Sequence, residues 1–294
     1  MICACIDIGS NTTRLLVADA GDGALQELVT QRAFTRIGKS LGKGGAIPAE
    51  KIAETAEVVR TQVAVANELG SEQIVAVATA AIRNAVNRDE LVDAVEEAGG
   101  TELLVLTGEE EARLSFVGAT RTLLRPVEGT VAVIDVGGGS SEIAIGEPDG
   151  RMEWSQSFRI GSGFLADSYL RSDPPSVDEL EKVRLHIAGT FDGLEPPPAQ
   201  HAVAVGGTAT SLRRLIGGEV AHDTLERGIR VLSLTPIAEV ARRFELDTER
   251  VRLLPAGILV LEAISDLLQL PLRIARGGLR EGVLLELVEG RQLA

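Results

Sequence analysis

Two stretches of this chain carry glycine, hydroxyl and carboxylate side chains in one shared order. Ile6 to Val17 (IDIGSNTTRLLV) and Ile134 to Ile145 (IDVGGGSSEIAI) match in Ile, Asp and Gly, then in paired hydroxyl residues, then in a charged residue followed by apolar alternation. Each reads as a strand, an Asp-x-Gly turn and a second strand. Glycine in such a turn lets backbone N–H groups approach a phosphate unobstructed, and the hydroxyls add donors. The candidate phosphate contacts are therefore Ser10, Asn11 and Thr12 in the first turn, and Gly137, Gly138, Gly139, Ser140 and Ser141 in the second. Asp7 and Asp135 head the turns, where a carboxylate holds Mg²⁺ directly or through water, and Glu142 closes the second hairpin on the same side. A single Asp-x-Gly is ordinary turn chemistry. Its repetition at matching points of a duplicated unit is a stronger signal.

Other residues fit an anionic substrate. Gly206, Gly207 and Thr208 follow an apolar run and precede a helical stretch at 210–216. They read as an anion site at a helix N-terminus, with a plain strand-to-helix turn as the alternative. Residues 108–113 (GEEEAR) open a helix with three acids. Favourable interaction with the helix dipole is the default reading, but three exceed what capping needs, and the alternative is that one of them serves as a general base. Cations gather in residues 30–47, where Arg32, Arg36, Lys39 and Lys43 occur without an acid. That basic, glycine-rich loop is either a solvated charge run or the port for phosphate on an acidic protein. Arg14 and Arg83 follow strand-like stretches and either reach the same phosphate or are surface arginines.

These side chains need elements to hold them. Apolar, β-branched runs predict strands near 2–8, 13–19, 25–30, 74–78, 103–106, 130–136, 141–146 and 201–205. Three- and four-residue apolar spacing predicts helices over 49–69, 87–98 and 108–124. Strands alternating with helices imply an α/β architecture, and the repeat implies two copies of one α/β unit. The boundary is expected near Arg125-Pro126, giving lobes of 1–125 and 126–294. At 294 residues, 45% of them hydrophobic, the chain can bury a sizeable core and is long enough for one large or two ordinary domains.

Composition excludes several classes. Lys and Arg number 29 against 43 Asp and Glu, a net charge of −14, and aromatics are 3%, which disfavours nucleic acid as a partner. Cys3 and Cys5 lie two apart on one predicted strand, so no disulfide framework exists and a reducing compartment is expected. The three histidines lack zinc-site spacing. No apolar run reaches the roughly 18 to 20 residues a membrane span needs, and the N-terminus shows no basic leader. A cytoplasmic protein without a membrane partner is expected.

Taken together, these residues resemble the exopolyphosphatase and guanosine pentaphosphate phosphohydrolase family, a branch of the actin-like ATPase superfamily. The motifs are IDIGSNTTRLLV, ATAAIR, TGEEEARL, VIDVGGGSSE, AVGGTAT, LPAG and GLREG, in family order from residue 6 to residue 282. The first and fourth are common to the superfamily, while the GSN-type loop with ATAAIR and EEEAR selects the family. The resemblance implies two ribonuclease-H-like lobes with the active site in an interdomain cleft, and a last helix, 279–289, packed on the first lobe. It implies hydrolysis of the terminal phosphoanhydride of inorganic polyphosphate or guanosine pentaphosphate, assisted by Mg²⁺ or Mn²⁺. Carried over by position, Glu111 matches the glutamate that positions and deprotonates the attacking water. Asp135 and Glu142 match metal and water ligands, the two glycine turns match phosphate loops, Arg83 matches a phosphate-binding arginine, and Asp7 forms a second acidic wall. A homodimer is an expectation of the resemblance alone.

The chain departs from the family pattern in Gly161-Ser-Gly-Phe-Leu-Ala-Asp167, where Phe164 replaces an arginine. It also stops soon after GLREGVLLELVEG, which points to short substrates or distributive action. The competing readings are a guanosine pentaphosphate phosphohydrolase, a small-molecule kinase of the same superfamily, and a non-catalytic guanosine tetra- or pentaphosphate-binding module.

Overall fold

The computed structural model describes residues 1–21, 24–42, 44–217 and 219–291. The chain divides into two compact units, Met1–Gly118 with Gly277–Ala294, and Ala119–Arg276.

The first unit begins with β1 (Ile2–Ile8), β2 (Thr13–Asp19) and β3 (Gln26–Ala33), followed by α1 (Ile37–Ser40), α2 (Ala49–Glu68) and β4 (Gln73–Ala78). Then come α3 (Ala80–Arg83), α4 (Arg88–Gly99), β5 (Leu103–Val105) and α5 (Gly108–Arg121). The sheet order is β3-β2-β1-β4-β5, with β2 antiparallel to β1 and β4 parallel to it. Strand β1 is central and apolar on both faces, as expected where helices cover both sides. Ala4, Ile6 and Ile8 face Val59 and Val63 of α2 and Leu91 and Val95 of α4. Cys3 and Cys5 take the other face with Leu114 of α5. Both thiols are free and buried, and burial pushes the Cys5 thiol well up.

The second unit contains β6 (Val131–Val136), β7 (Ser141–Gly146), β8 (Met152–Phe158), α6 (Ser162–Tyr169), α7 (Val177–Phe191) and β9 (His201–Val205). It continues through α8 (Gly206–Ile216), β10 (Glu219–Val220), α9 (His222–Leu234), α10 (Ile237–Phe244), α11 (Thr248–Leu268) and β11 (Leu272–Ile274). Its sheet runs β10-β11-β9-β6-β7-β8. Read from β8, the order repeats that of the first sheet, with β10 added at the far edge. The sequence repeat is thus a repeat of sheet topology. Helix α11 is apolar almost all round and packs against α6, α7 and α9, which makes it the core helix of this unit.

The last helix, α12 (Leu279–Val288), belongs to the first unit and packs on β1. It crosses α5 backbone to backbone. A Cβ on Gly118 would stand 1.9 Å from the Gly278 carbonyl oxygen, and one on Gly282 would stand 1.9 Å from that of Leu114. Only glycine permits this approach. Arg113 on α5 then makes a bidentate pair with Glu286 on α12, at 2.5 and 2.8 Å.

Three local expectations change. Residues 30–47 are not one loop, because β3 continues to Ala33 and α1 occupies 37–40; Lys43 lies outside the described residues. Helix α8 starts at Gly206 rather than 210, so the glycines form its first turn. Helix α5 stops at Arg121, and the division between units falls within it, ahead of Arg125-Pro126. Among the described residues no helix is long and apolar enough to cross a membrane.

Candidate active site

The two Asp-x-Gly hairpins are built alike. In the first, the Gly9 N–H donates to the Thr12 carbonyl at 3.0 Å. The carbonyls of Ser10 and Asn11 are turned toward α1, accepting from the N–H groups of Gly38 (2.8 Å) and Arg36 (3.0 Å). With the carbonyls held on that side, the N–H groups of Ser10, Asn11 and Thr12 have no acceptor among the described residues. The Asn11 Nδ2 is a buried donor that likewise lacks a partner. Such a group is costly unless a ligand takes the bond.

The second hairpin repeats the construction. Gly137 N–H donates to the Ser140 carbonyl at 3.0 Å, and the carbonyls of Gly137 and Gly138 accept from Ser162 and Phe164, each at 2.9 Å, in the first turn of α6. The Gly138, Gly139 and Ser140 N–H groups have no acceptor among the described residues. This brace requires close approach, since a Cβ on Gly161 would lie 2.5 Å from the Gly138 carbonyl carbon. Ser141 is fully buried and its hydroxyl donates to the Ile160 carbonyl at 2.7 Å, so it holds the hairpin while Ser140 stays in the turn.

The register of the strands separates the two acidic positions. Asp135 on β6 is directly opposite Glu142 on β7, whereas Asp7 on β1 is opposite Arg14 on β2. Like charges on facing residues repel unless a cation lies near them. Glu142 is 2% exposed and accepts from the Ser157 hydroxyl at 2.8 Å. Gly206 has φ +81° and its missing Cβ would lie 2.3 Å from Asp135 Oδ1, so glycine there leaves the carboxylate its place. The turn following it is capped by no side chain, and Thr208 donates to the Val136 carbonyl at 3.3 Å, tying α8 to the end of β6. Mg²⁺ takes one or two carboxylates and completes its shell with water and substrate phosphate, and the oxygen-only pair Asp135 and Glu142 fits that demand. Among the described residues no cluster of three or more acids, histidines or cysteines forms a cage by itself.

The three acids of α5 have distinct fates. Glu109 is exposed. Glu110 caps the helix reciprocally with Thr107, whose N–H donates to its carboxylate at 2.7 Å and holds that carboxyl below its usual range. Glu111 is 8% exposed and accepts from Arg83 Nη1 at 2.9 Å. The same Nη1 donates to the Leu106 carbonyl at 2.7 Å, so Arg83 makes both of its bonds through one nitrogen. Arg36 caps α1 with φ +53° and lies 5.8 Å from the Phe34 ring, with Arg32 over the same ring at 4.9 Å. Arg14 donates to Thr12 Oγ1 at 3.2 Å, and Lys39 is exposed at the end of α1.

The structure thus joins Arg83 to Glu111, Arg14 to the first turn, and Asp135 to the α8 glycines. Sequence reasoning missed the braces behind both turns. Gly161 and Gly163 showed as a glycine pair, but a brace is visible only when two segments meet.

Two units of ribonuclease-H-like sheet order, each with an Asp-x-Gly hairpin, define the actin-like ATPase fold. Within that fold the chain belongs to the Ppx/GppA phosphatase family, whose sequence profile matches residues 16–290. It is 32% identical to exopolyphosphatase 2 of Mycobacterium tuberculosis over 253 residues, 82% of this chain and 78% of that one. It is 25% identical to the guanosine-5′-triphosphate,3′-diphosphate pyrophosphatase of Vibrio atlanticus over 97% of this chain and 59% of that one. The crystal structure of the Aquifex aeolicus family member superposes with a TM-score of 0.83 at 28% identity, covering 99% of this chain and 98% of the other.

Proposed function

We propose that this protein is an exopolyphosphatase that hydrolyses the terminal phosphoanhydride of inorganic polyphosphate and releases orthophosphate. The observation that carries the reading is the buried Glu111 carboxylate held by Arg83 at 2.9 Å in the first turn of α5. In this role Glu111 orients the attacking water and takes its proton. Arg83, whose Nε and Nη2 make no bond among the described residues, steadies the charge of the phosphoryl group. The N–H groups of Ser10, Asn11 and Thr12, of Gly138, Gly139 and Ser140, and of the α8 turn bind phosphate oxygens, with Arg14, Arg36 and Lys39 as further cations. Asp135 and Glu142 would hold Mg²⁺ or Mn²⁺, with Asp7 as a further acid. When bound, the metal supplies Lewis-acid neutralisation of charge on the phosphoryl oxygens. Two buried free thiols support a reducing, cytoplasmic setting.

The likeness to the Vibrio atlanticus protein favours guanosine pentaphosphate as the second substrate to try. The test is orthophosphate release from polyphosphate and from guanosine pentaphosphate with Mg²⁺, using Glu111→Gln as the control. Loss of release of about 10²- to 10⁴-fold with the fold retained is expected, in line with removal of a general base. A variant as active as wild type refutes the assignment of Glu111. A folded wild type that binds guanosine pentaphosphate but releases nothing makes the chain a binding module.

A further inference from the structure

Aromatic side chains are scarce in this chain, with six Phe, one Tyr and one Trp. Among the described residues the exposed one is Phe164, 43% accessible. It stands beside the second phosphate turn, because its own N–H donates to the Gly138 carbonyl at 2.9 Å. Its ring leans on His186, with centroids 5.7 Å apart and planes at 55°, and His186 is held from behind by the Tyr169 hydroxyl at 2.9 Å. The platform is therefore supported from one side and open on the other.

An inorganic phosphate chain is strongly hydrated and gains nothing from an apolar face. A purine does, because stacking buries both flat surfaces. We infer that Phe164 is a stacking platform for the base of a nucleoside polyphosphate whose phosphates occupy the Gly137–Ser141 turn, and that this residue sets the preference between nucleoside and inorganic polyphosphates. The inference rests on the phosphoanhydride reading above and adds to it a residue that sets substrate preference.

The ring's contacts with His186 are also what a purely structural phenylalanine would make. The two roles separate in substrate discrimination. Guanosine 5′-tetraphosphate and inorganic tetraphosphate, which carry phosphate chains of equal length, are compared as substrates of wild type, Phe164→Ala and Phe164→Trp. Stacking on an aromatic residue is worth about 1–3 kcal/mol per base. Phe164→Ala should therefore raise the ratio of KM for the nucleoside to KM for the inorganic compound about tenfold, and Phe164→Trp should keep the wild-type ratio. Calorimetric titration of both compounds into the three proteins reads the same ratio without turnover. A protein that releases no phosphate yet shows the shifted binding ratio overturns the hydrolase reading and keeps the platform. An unchanged ratio in Phe164→Ala, whatever its stability, overturns the platform.

Discussion

The Arg113–Glu286 pair joins helices 173 positions apart in sequence, and its two members are unequally buried, which makes the cost of breaking it directional. The Arg113 side chain is 34% exposed and that of Glu286 is 1% exposed. Removing Glu286 leaves a guanidinium that already reaches solvent and can rehydrate. Removing Arg113 leaves a carboxylate in the interior whose remaining cation among the described residues is Arg291, 3.5 Å away and itself 60% exposed. Loss of one partner of a buried pair costs about 3–5 kcal/mol when the remaining charge is uncompensated. Arg113→Met should approach the lower end, about 3 kcal/mol, whereas Glu286→Gln, with its volume kept and its partner hydrated, should cost about half that. The double variant Arg113→Met with Glu286→Leu should cost less than the sum of the singles, since neither charge is left behind. Urea denaturation of the four proteins at constant m measures all three quantities. Equal costs for the two single variants, or additivity in the double, would refute the claim that desolvation of Glu286 governs this contact.

Two further outcomes follow from local geometry. Gly206→Ala puts a Cβ 2.3 Å from Asp135 Oδ1 at a φ of +81°, so it should destabilise by about 1–2 kcal/mol for the backbone alone and lower turnover by displacing Asp135; thermal melting together with phosphate release checks both, and unchanged activity would separate Asp135 from the reaction. Burial works to raise the Glu179 carboxyl, but the Ser172 hydroxyl and the N–H groups of Ser176, Arg171 and Ser172 outweigh it and bring the carboxyl from 4.5 to about 2. A depressed carboxyl stabilises the fold above its unfolded value and loses that contribution as pH falls from about 4.5 toward about 2. Glu179→Gln should flatten the stability profile in that window while leaving its slope above pH 6 unaltered, as followed by melting temperature against pH.

Much of the architecture was legible because it is periodic. The β1 and β2 boundaries read from apolar, β-branched runs agree with those observed, and α2 and α4 follow from three- and four-residue apolar spacing closed by glycine. Helices α7, α9 and α10 carry an amphipathic period as well and were equally legible, whereas other unpredicted elements lack such a signal. Strand β8 (MEWSQSF) is a polar edge strand, with alternation too weak to register, and β11 is three residues long. Helix α11 is apolar almost all round and contains Pro255, so its amphipathic period is weak and it carries an apparent breaker.

The sequence by itself determined the chemical inventory and its duplication: two Asp-x-Gly turns, a glycine-rich helix start, a run of three glutamates and the nearby arginines. These are local facts, since turn conformation and donor density depend on neighbours in the chain. Tertiary structure decided which members of that inventory are equivalent and which are not. Only the fold shows that, of Glu109, Glu110 and Glu111, one is solvated, one caps its helix and one is buried against Arg83. Only strand register sets Asp135 against a carboxylate and Asp7 against a guanidinium. Only the approach of α1 and α6 draws the turn carbonyls to one side and leaves the N–H groups on the other. The reason is physical: desolvation, opposition of charge and hydrogen-bond direction are properties of segments brought together, and the spacing of residues along a single strand or helix does not contain them.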